Sequence, residues 1–299
     1  MTTSQLLTRN YKEISDQVTA LLQEHREFLI EKGIIRKVAP VTTEVWHRLW
    51  NKFISHTDPR VWKMGKDLKP LFIEQGAEVI DNIQRHPLPS SGKALTHSQE
   101  RFIDSWMFDK KKWVKEFQNV EASHIAESLV SGGVATMELL PGTLDFDPKD
   151  IGVISFTQEQ ALRSSLEINE GSAKSLKGHL IAGVAAGEAI KGLTERVAVS
   201  TAFNVKVRSR RIAQTEVIGA VNKGSLEASK QSGVVWGHQW LAALDDLVRE
   251  SHEELTMMGE AVKLGDQFSI GCEYPGDQGG PAAEVVNCRC TLLPLTEKP

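Results

Sequence analysis

The chain has 299 residues, 40% of them hydrophobic and 25% charged, with a formal net charge of −4. That composition excludes wholesale disorder, a collagen-like fibre and a disulfide-built miniprotein, and the length suggests about two domains at roughly 150 residues each. The near-neutral balance argues against a protein that coats nucleic acid over its whole surface.

Residues 4–32 repeat apolar side chains at three- and four-residue spacing and predict a helix that stops near Gly33. A second helix is expected over 42–56, with Thr42 or Thr43 as cap and Val45, Trp46, Leu49, Trp50 and Phe53 on one face. Pro59 is expected to interrupt it, and a third helix to run over about 61–85. The stretch from His86 to Gly92 reads as a break, and helical patterning resumes over about 98–130. Five of the seven tryptophans precede residue 114. Trp46 and Trp50 are four apart and share a face, which predicts packing between helices, with a partner-binding patch as the alternative.

Residues 131–155, with Gly132-Gly133, Pro141-Gly142 and Pro148, carry few helix signals. They suggest a boundary near 150 between a helical domain, 1–150, and a second domain, 151–299, helical to about 232 and α+β from about 233. Thr157 and Gln160 have capping-box spacing, so helices are expected over about 157–169, 173–184 and 187–200. A long helix follows from Lys206 to Ser229. Its inner stripe, Ala213, Val217, Ala220, Val221, Gly224 and Ala228, is small enough for close approach to another element. Glu216 lies on that apolar face, where its charge needs a partner or its pKa must rise. A strand is expected from Val234 to Leu241, and a helix from about 247 to 258, capped by Asp245 or Asp246 and ended by Gly259. Short strands and turns complete the chain. The expected fold class is mainly α with a small C-terminal α+β unit and short antiparallel strands.

Charge is unevenly spread. Residues 203–240 carry six basic and two acidic residues, whereas residues 241–299 carry four basic and eleven acidic. The two segments should pack together and partly neutralise each other. Alternatively Lys206, Arg208, Arg210 and Arg211 face DNA. No segment approaches the roughly 20 apolar residues a membrane span needs. The first residues lack a secretory pattern, and three late cysteines, Cys272, Cys288 and Cys290, fit a reducing compartment.

If Asn287-Cys288-Arg289-Cys290 is a strand, both thiols share one face and Arg289 takes the other. They read as buried structural thiols. The alternative is zinc, with Cys272 and His252 as the nearest further donors by type. Asp246, Arg249 and His252 recur every three residues and, with Glu216, form either a structural network or a hydrolytic cluster. No phosphate loop, zincin or nucleophile-elbow motif is present.

The ordered set Arg211-Ile212-Ala213-Gln214-Thr215-Glu216, Asn222-Lys223-Gly224, Trp240, Asp245 to His252, Gly259, Phe268, Tyr274-Pro275-Gly276-Asp277 and Asn287-Cys288-Arg289-Cys290 resembles the C-terminal domain of Mu F-like phage head morphogenesis proteins. The resemblance spans about 150–295 and is densest after 208. It implies a minor capsid protein in a tailed phage or prophage, present in few copies. Such a protein associates with the portal and other head proteins, assembles in the host cytoplasm and resides at the capsid interior or portal vertex. It takes part in head assembly or DNA packaging and delivery. The implied role is structural, without a cofactor. Some relatives place a C-x-x-C where this chain has Arg249 to His252, and a histidine before the final cysteine pair. This chain has neither, and here Arg249 and His252 are expected to bond Glu216, Asp246 or backbone carbonyls. Glu216 is expected to pair with Arg249 or Arg289 and so lock the long helix to the α+β unit. The rival function is a metal-dependent nuclease or other hydrolase using His252 and Glu216.

Overall fold

A computed structural model describes residues 36–37, 42–86, 88, 95–142 and 144–298. The helix expected over 4–32 lies outside these residues. In chain order the elements are β1 (Arg36–Lys37), α1 (Thr43–Arg85), α2 (His97–Trp106), α3 (Lys110–Met137), α4 (Ile151–Ala185) and α5 (Ile190–Phe203). A π-helical turn (Asn204–Arg208) leads directly into α6 (Ser209–Ser232). Then come β2 (Gly237–Leu241), α7 (Glu250–Met257), β3 (Glu260–Lys263), α8 (Ala282–Val285) and β4 (Thr291–Leu295). The strands form an antiparallel sheet in the order β1-β3-β2-β4, with Gln239 opposite Ala261 on one side and Leu293 on the other. The mainly helical fold with a small C-terminal sheet is as the sequence predicts.

The helices are longer than expected. Thr42 caps α1, but Pro59 does not end it, and α1 runs on through Pro70. A proline inside a helix costs about 3 kcal/mol. Packing on both sides of Pro59 outweighs this, with Trp46 buried at one end and Val61, Met64, Leu68 and Phe72 at the other. The expected 98–130 helix is two, because Asp109 accepts a hydrogen bond from the Lys112 amide and starts α3 afresh. Asp150 likewise starts α4, and Thr157 and Gln160 lie within it.

Gly132 and Gly133 do not break α3. A Cβ on Gly132 would lie 2.0 Å from the carbonyl oxygen of Val221, and one on Gly224 would lie 1.9 Å from that of Leu129. Glycine at these places lets α3 and α6 touch backbone to backbone.

Three apolar clusters form the interior, and α6 contributes to each. Ala213, Val217 and Val221 join a cluster built from α1 to α5. Ala220 and Ala228 join one between α3 and α4. Leu226 joins the C-terminal cluster around Trp240, Phe268 and Tyr274. Residue 150 marks the start of α4, while the interior runs across it. Trp46 sits in the C-terminal cluster, and its indole donates to the Ala242 carbonyl at 2.8 Å. The Trp50 indole donates to the Arg289 carbonyl at 3.2 Å. The two tryptophans do share a face, and the partner they meet is the C-terminal unit.

The α3–α6 contact gives a paired test. Gly224→Ala should lower stability by about 1–3 kcal/mol through overpacking. Gly178→Ala, in a helix position with open space for a Cβ, should raise it by up to about 1 kcal/mol. Chemical denaturation of both variants measures the contrast, and equal effects would contradict the close crossing.

Candidate functional site

The site is the junction where α6 meets the loops after β3. Gln214, Thr215, Glu216, Gly219 and Asn222 all face it. The Gln214 side chain donates to the Asn287 carbonyl at 3.3 Å, and the Thr215 hydroxyl accepts from the Asn287 amide at 3.0 Å. Asn287 has φ +63°, so two hydrogen bonds from α6 hold the sharp turn that precedes the cysteines. A Cβ on Gly219 would lie 2.8 Å from the Gly276 carbonyl oxygen, and Gly276, at φ +83°, packs directly on the helix backbone.

Asn222 is fully buried. Its amide nitrogen lies within donating distance of the carbonyls of Ile218 (3.0 Å), Pro275 (3.1 Å) and Cys290 (3.0 Å). Its oxygen accepts from the Leu292 amide at 3.2 Å. One side chain therefore joins α6, the Tyr274–Asp277 loop and the start of β4. Sequence reasoning placed Asn222 in a motif but gave it no role.

Glu216 is buried as expected, but its partners are amides. Gln160 donates to one carboxylate oxygen at 2.6 Å and Gln278 to the other at 3.0 Å. Arg163 in turn bonds Gln160. Burial pushes the Glu216 carboxyl up to about 7, against the lowering effects of Gln160, Ser164 and Arg163, with Glu167 adding to the rise. Glu121 is also wholly buried and accepts from Ser164 at 2.7 Å. Burial, with the nearby charge of Glu216, holds Glu121 well above the usual carboxylate range. The sequence offers Gln160 only as part of a capping box and gives Glu121 no motif, so neither is expected beside Glu216.

The expected network of Glu216, Asp246, Arg249, His252 and Arg289 separates into independent contacts. Arg289 forms a two-pronged pair with Asp245. Arg249 donates to the Val286 carbonyl at 2.6 Å, the backbone option among its expected partners. Asp246 is exposed. Asp245 and Asp246 do not cap α7, which begins after Arg249. Asp245 instead turns the chain by accepting from the Leu247 amide.

His252 faces the cysteines. Residues 286–290 are a turn and coil, not the strand considered from sequence. Even so, both thiols reach the same imidazole nitrogen, with Cys288 Sγ at 3.7 Å and Cys290 Sγ at 3.3 Å from Nδ1. Nε2 lies 2.9 Å from Glu284. Burial alone would raise the Cys290 thiol, but its hydrogen bonds with Cys288 and His252 prevail and hold it well below the ordinary thiol value. Burial, reinforced by Cys290, pushes Cys288 up. Cys272 is buried apart from this trio, and burial pushes its thiol up to about 12.

The basic stretch divides. Arg208 turns inward, donating to the Ser172 hydroxyl and the Ile168 carbonyl, each at 2.9 Å, over the Phe72 ring. Lys206, Arg210 and Arg211 are exposed. Further along α6, Lys223 pairs with Glu227 at 2.8 Å, and Lys230 reaches Glu227 and Glu273. The Lys230–Glu273 pair joins the basic segment to the acidic one.

Residues 174–293 match the family described as Phage Mu protein F like protein. This matched segment runs from the end of α4 to β4 and contains every contact of the junction except those to Gln160, Ser164 and the early helices. The chain is also 28% identical over 130 residues to NAD(+)–arginine ADP-ribosyltransferase EFV of Enterococcus faecalis (strain ATCC 700802 / V583). That alignment covers 42% of this chain and 26% of the relative, so the chain spans about a quarter of that protein's length. No solved structure matches.

Two predictions test the junction. A carboxyl with a folded-state pKa raised from 4.5 to about 7 binds protons more tightly folded than unfolded. The resulting penalty is absent below about 4.5, grows as pH rises, and is complete above about 7. Glu216→Gln should therefore flatten the fall in melting temperature across that window, leaving the residual slope that Glu121 imposes in the same direction. Melting curves at several pH values measure it. Asn222→Leu should be strongly destabilising, since each buried backbone group left without its partner costs about 1–3 kcal/mol. Denaturant titration gives the value.

Proposed function

We propose that this protein is a minor head protein of a tailed phage or prophage. It occupies the capsid interior or portal vertex in few copies and acts in head assembly and in DNA packaging or delivery. The observation that carries this reading is the family match over 174–293, which falls on the segment whose buried contacts interlock at α6. The family speaks for a role among other head proteins rather than for catalysis.

Surface features support it. Trp62 on α1 is 69% exposed and carries Lys66 over its ring, while Ile73 lies further along the helix and is also exposed. An exposed tryptophan is a suitable anchor for another protein. Lys206, Arg210 and Arg211 are the residues of the basic stretch that face solvent and can meet packaged DNA. Among the described residues, no helix is long and apolar enough to cross a membrane.

The hydrolase reading has little geometric support. His252 faces thiols and Glu216 faces amides, and both are buried. The transferase activity in the relative's name belongs to a protein of which this chain covers 26%.

Co-expression with the portal protein of the same phage or prophage should yield a stable complex, and imaging of that complex should count a few copies per portal ring. Failure to co-purify, with both proteins folded, would remove the portal assignment. Binding to duplex DNA should weaken steeply with salt. Replacing Lys206, Arg210 and Arg211 together by alanine should reduce the log–log salt slope by about 3, since each phosphate left without its cation accounts for about 0.9. Fluorescence anisotropy checks this, and salt-insensitive binding would remove DNA as a partner.

A further inference from the structure

We propose that His252, Cys288 and Cys290 form a binding site for one thiophilic divalent cation, with Zn2+ the best fit, that pins α7 to the segment entering β4. The inference is independent of the head-protein reading.

The geometry is that of a ligand set. The three donor atoms lie within 4.8 Å of one another, and among the described residues no other group of three or more histidine, cysteine or acidic side chains converges in this way. With Zn–N near about 2.05 Å and Zn–S near about 2.3 Å, tetrahedral coordination separates nitrogen from sulfur by about 3.6 Å. The two observed separations, 3.3 and 3.7 Å, bracket that value.

Neutral hydrogen bonds can link the trio in a chain, one thiol to Nδ1 and the other to its neighbouring sulfur, but such a chain does not require both sulfurs to approach the same nitrogen. Glu284 beside Nε2 favours a proton there, which leaves one lone pair on Nδ1. Two sulfur atoms approach that lone pair, and only one S–H can donate to it. A cation at the common point satisfies all three atoms. Glu284 lies 2.9 Å from the far imidazole nitrogen without a well-aligned hydrogen bond, close enough for a small reorientation to make it the outer-shell carboxylate that orients metal-bound histidine. Ser251 holds Glu284 in place by donating to the same oxygen at 2.9 Å.

The surroundings are built and buried. The three residues are 1%, 2% and 1% exposed. The Trp240 ring meets the imidazole at 4.9 Å, edge to face. The cysteine backbone is fixed from α6, by Thr215 at Asn287 and by Asn222 at Cys290. Two sulfurs and one imidazole select a soft or borderline ion over Mg2+ or Ca2+. Three protein donors are one fewer than a closed structural zinc site uses, so the fourth position falls to a non-protein donor such as water.

The test uses the full chain, purified under reducing conditions. It is stripped with chelator, then reloaded with Zn2+ or Co2+. Elemental analysis should find one zinc per chain, and the cobalt form should show thiolate-to-cobalt charge transfer with tetrahedral visible bands. Both signals should disappear in Cys288→Ser and Cys290→Ser and persist in Cys272→Ser. If the serine variants fail to fold, the wild-type protein decides. Zinc should then protect Cys288 and Cys290 from alkylation, as mapped by peptide mass, and chelator should abolish the protection. Three results would overturn the site: folded wild type that takes up neither ion, a Cys288–Cys290 disulfide in the reduced preparation, or metal retained undiminished in both serine variants.

Discussion

A helix enclosed on every side has no solvent face on which to place a polar group, and α6 is such a helix from Ala213 to Asn222. Each polar side chain along that stretch must meet a partner inside the protein or destabilise it. Gln214, Thr215, Glu216 and Asn222 meet theirs on the loops between β3 and β4 or on α4. The loops have little regular structure of their own, so these hydrogen bonds decide their course. The C-terminal unit takes its shape from a helix that precedes it in the chain.

The same enclosure explains the glycines. Gly132 and Gly224 bring α3 and α6 together, and Gly219 admits the Gly276 turn from another direction. A helix this crowded holds its neighbours by backbone contact, so small residues matter at several points of its circumference. Each of the three apolar clusters around it draws residues from both sides of residue 150.

Much of this was legible in the sequence, and the rest was hidden for physical reasons. The small-residue stripe and the buried position of Glu216 follow from helical periodicity. So do the shared face of Trp46 and Trp50 and, from the switch to a two-residue period, the strand near 237–241. Helix ends were less legible. Pro59 and Gly132-Gly133 are strong local breakers, yet long-range packing overrides both, and a single chain does not display long-range packing. The partners of Glu216 are not legible because Gln160 and Gln278 lie 56 and 62 residues away, and the capping-box spacing at Gln160 points to a local role instead. Arginine is the obvious partner for a carboxylate, but Arg249 and Arg289 bond Val286 and Asp245 instead. For the cysteines the residue types were right and the backbone wrong, since a turn gathers the thiols where a strand had been considered.

The indole contacts of Trp46 and Trp50 bear on how the protein is made. They close loops of 196 and 239 residues. Contacts so distant in sequence form late, because the ordering cost of closing the loop comes before any gain. On a ribosome, both indoles remain without their acceptors until Ala242 and Arg289 have been synthesised. The amino-terminal half of α1 thus stays sticky through most of translation, and completing the C-terminal unit is what buries it. Synthesis that halts before residue 289 leaves that aromatic face open, which couples surface solubility to completion of the domain.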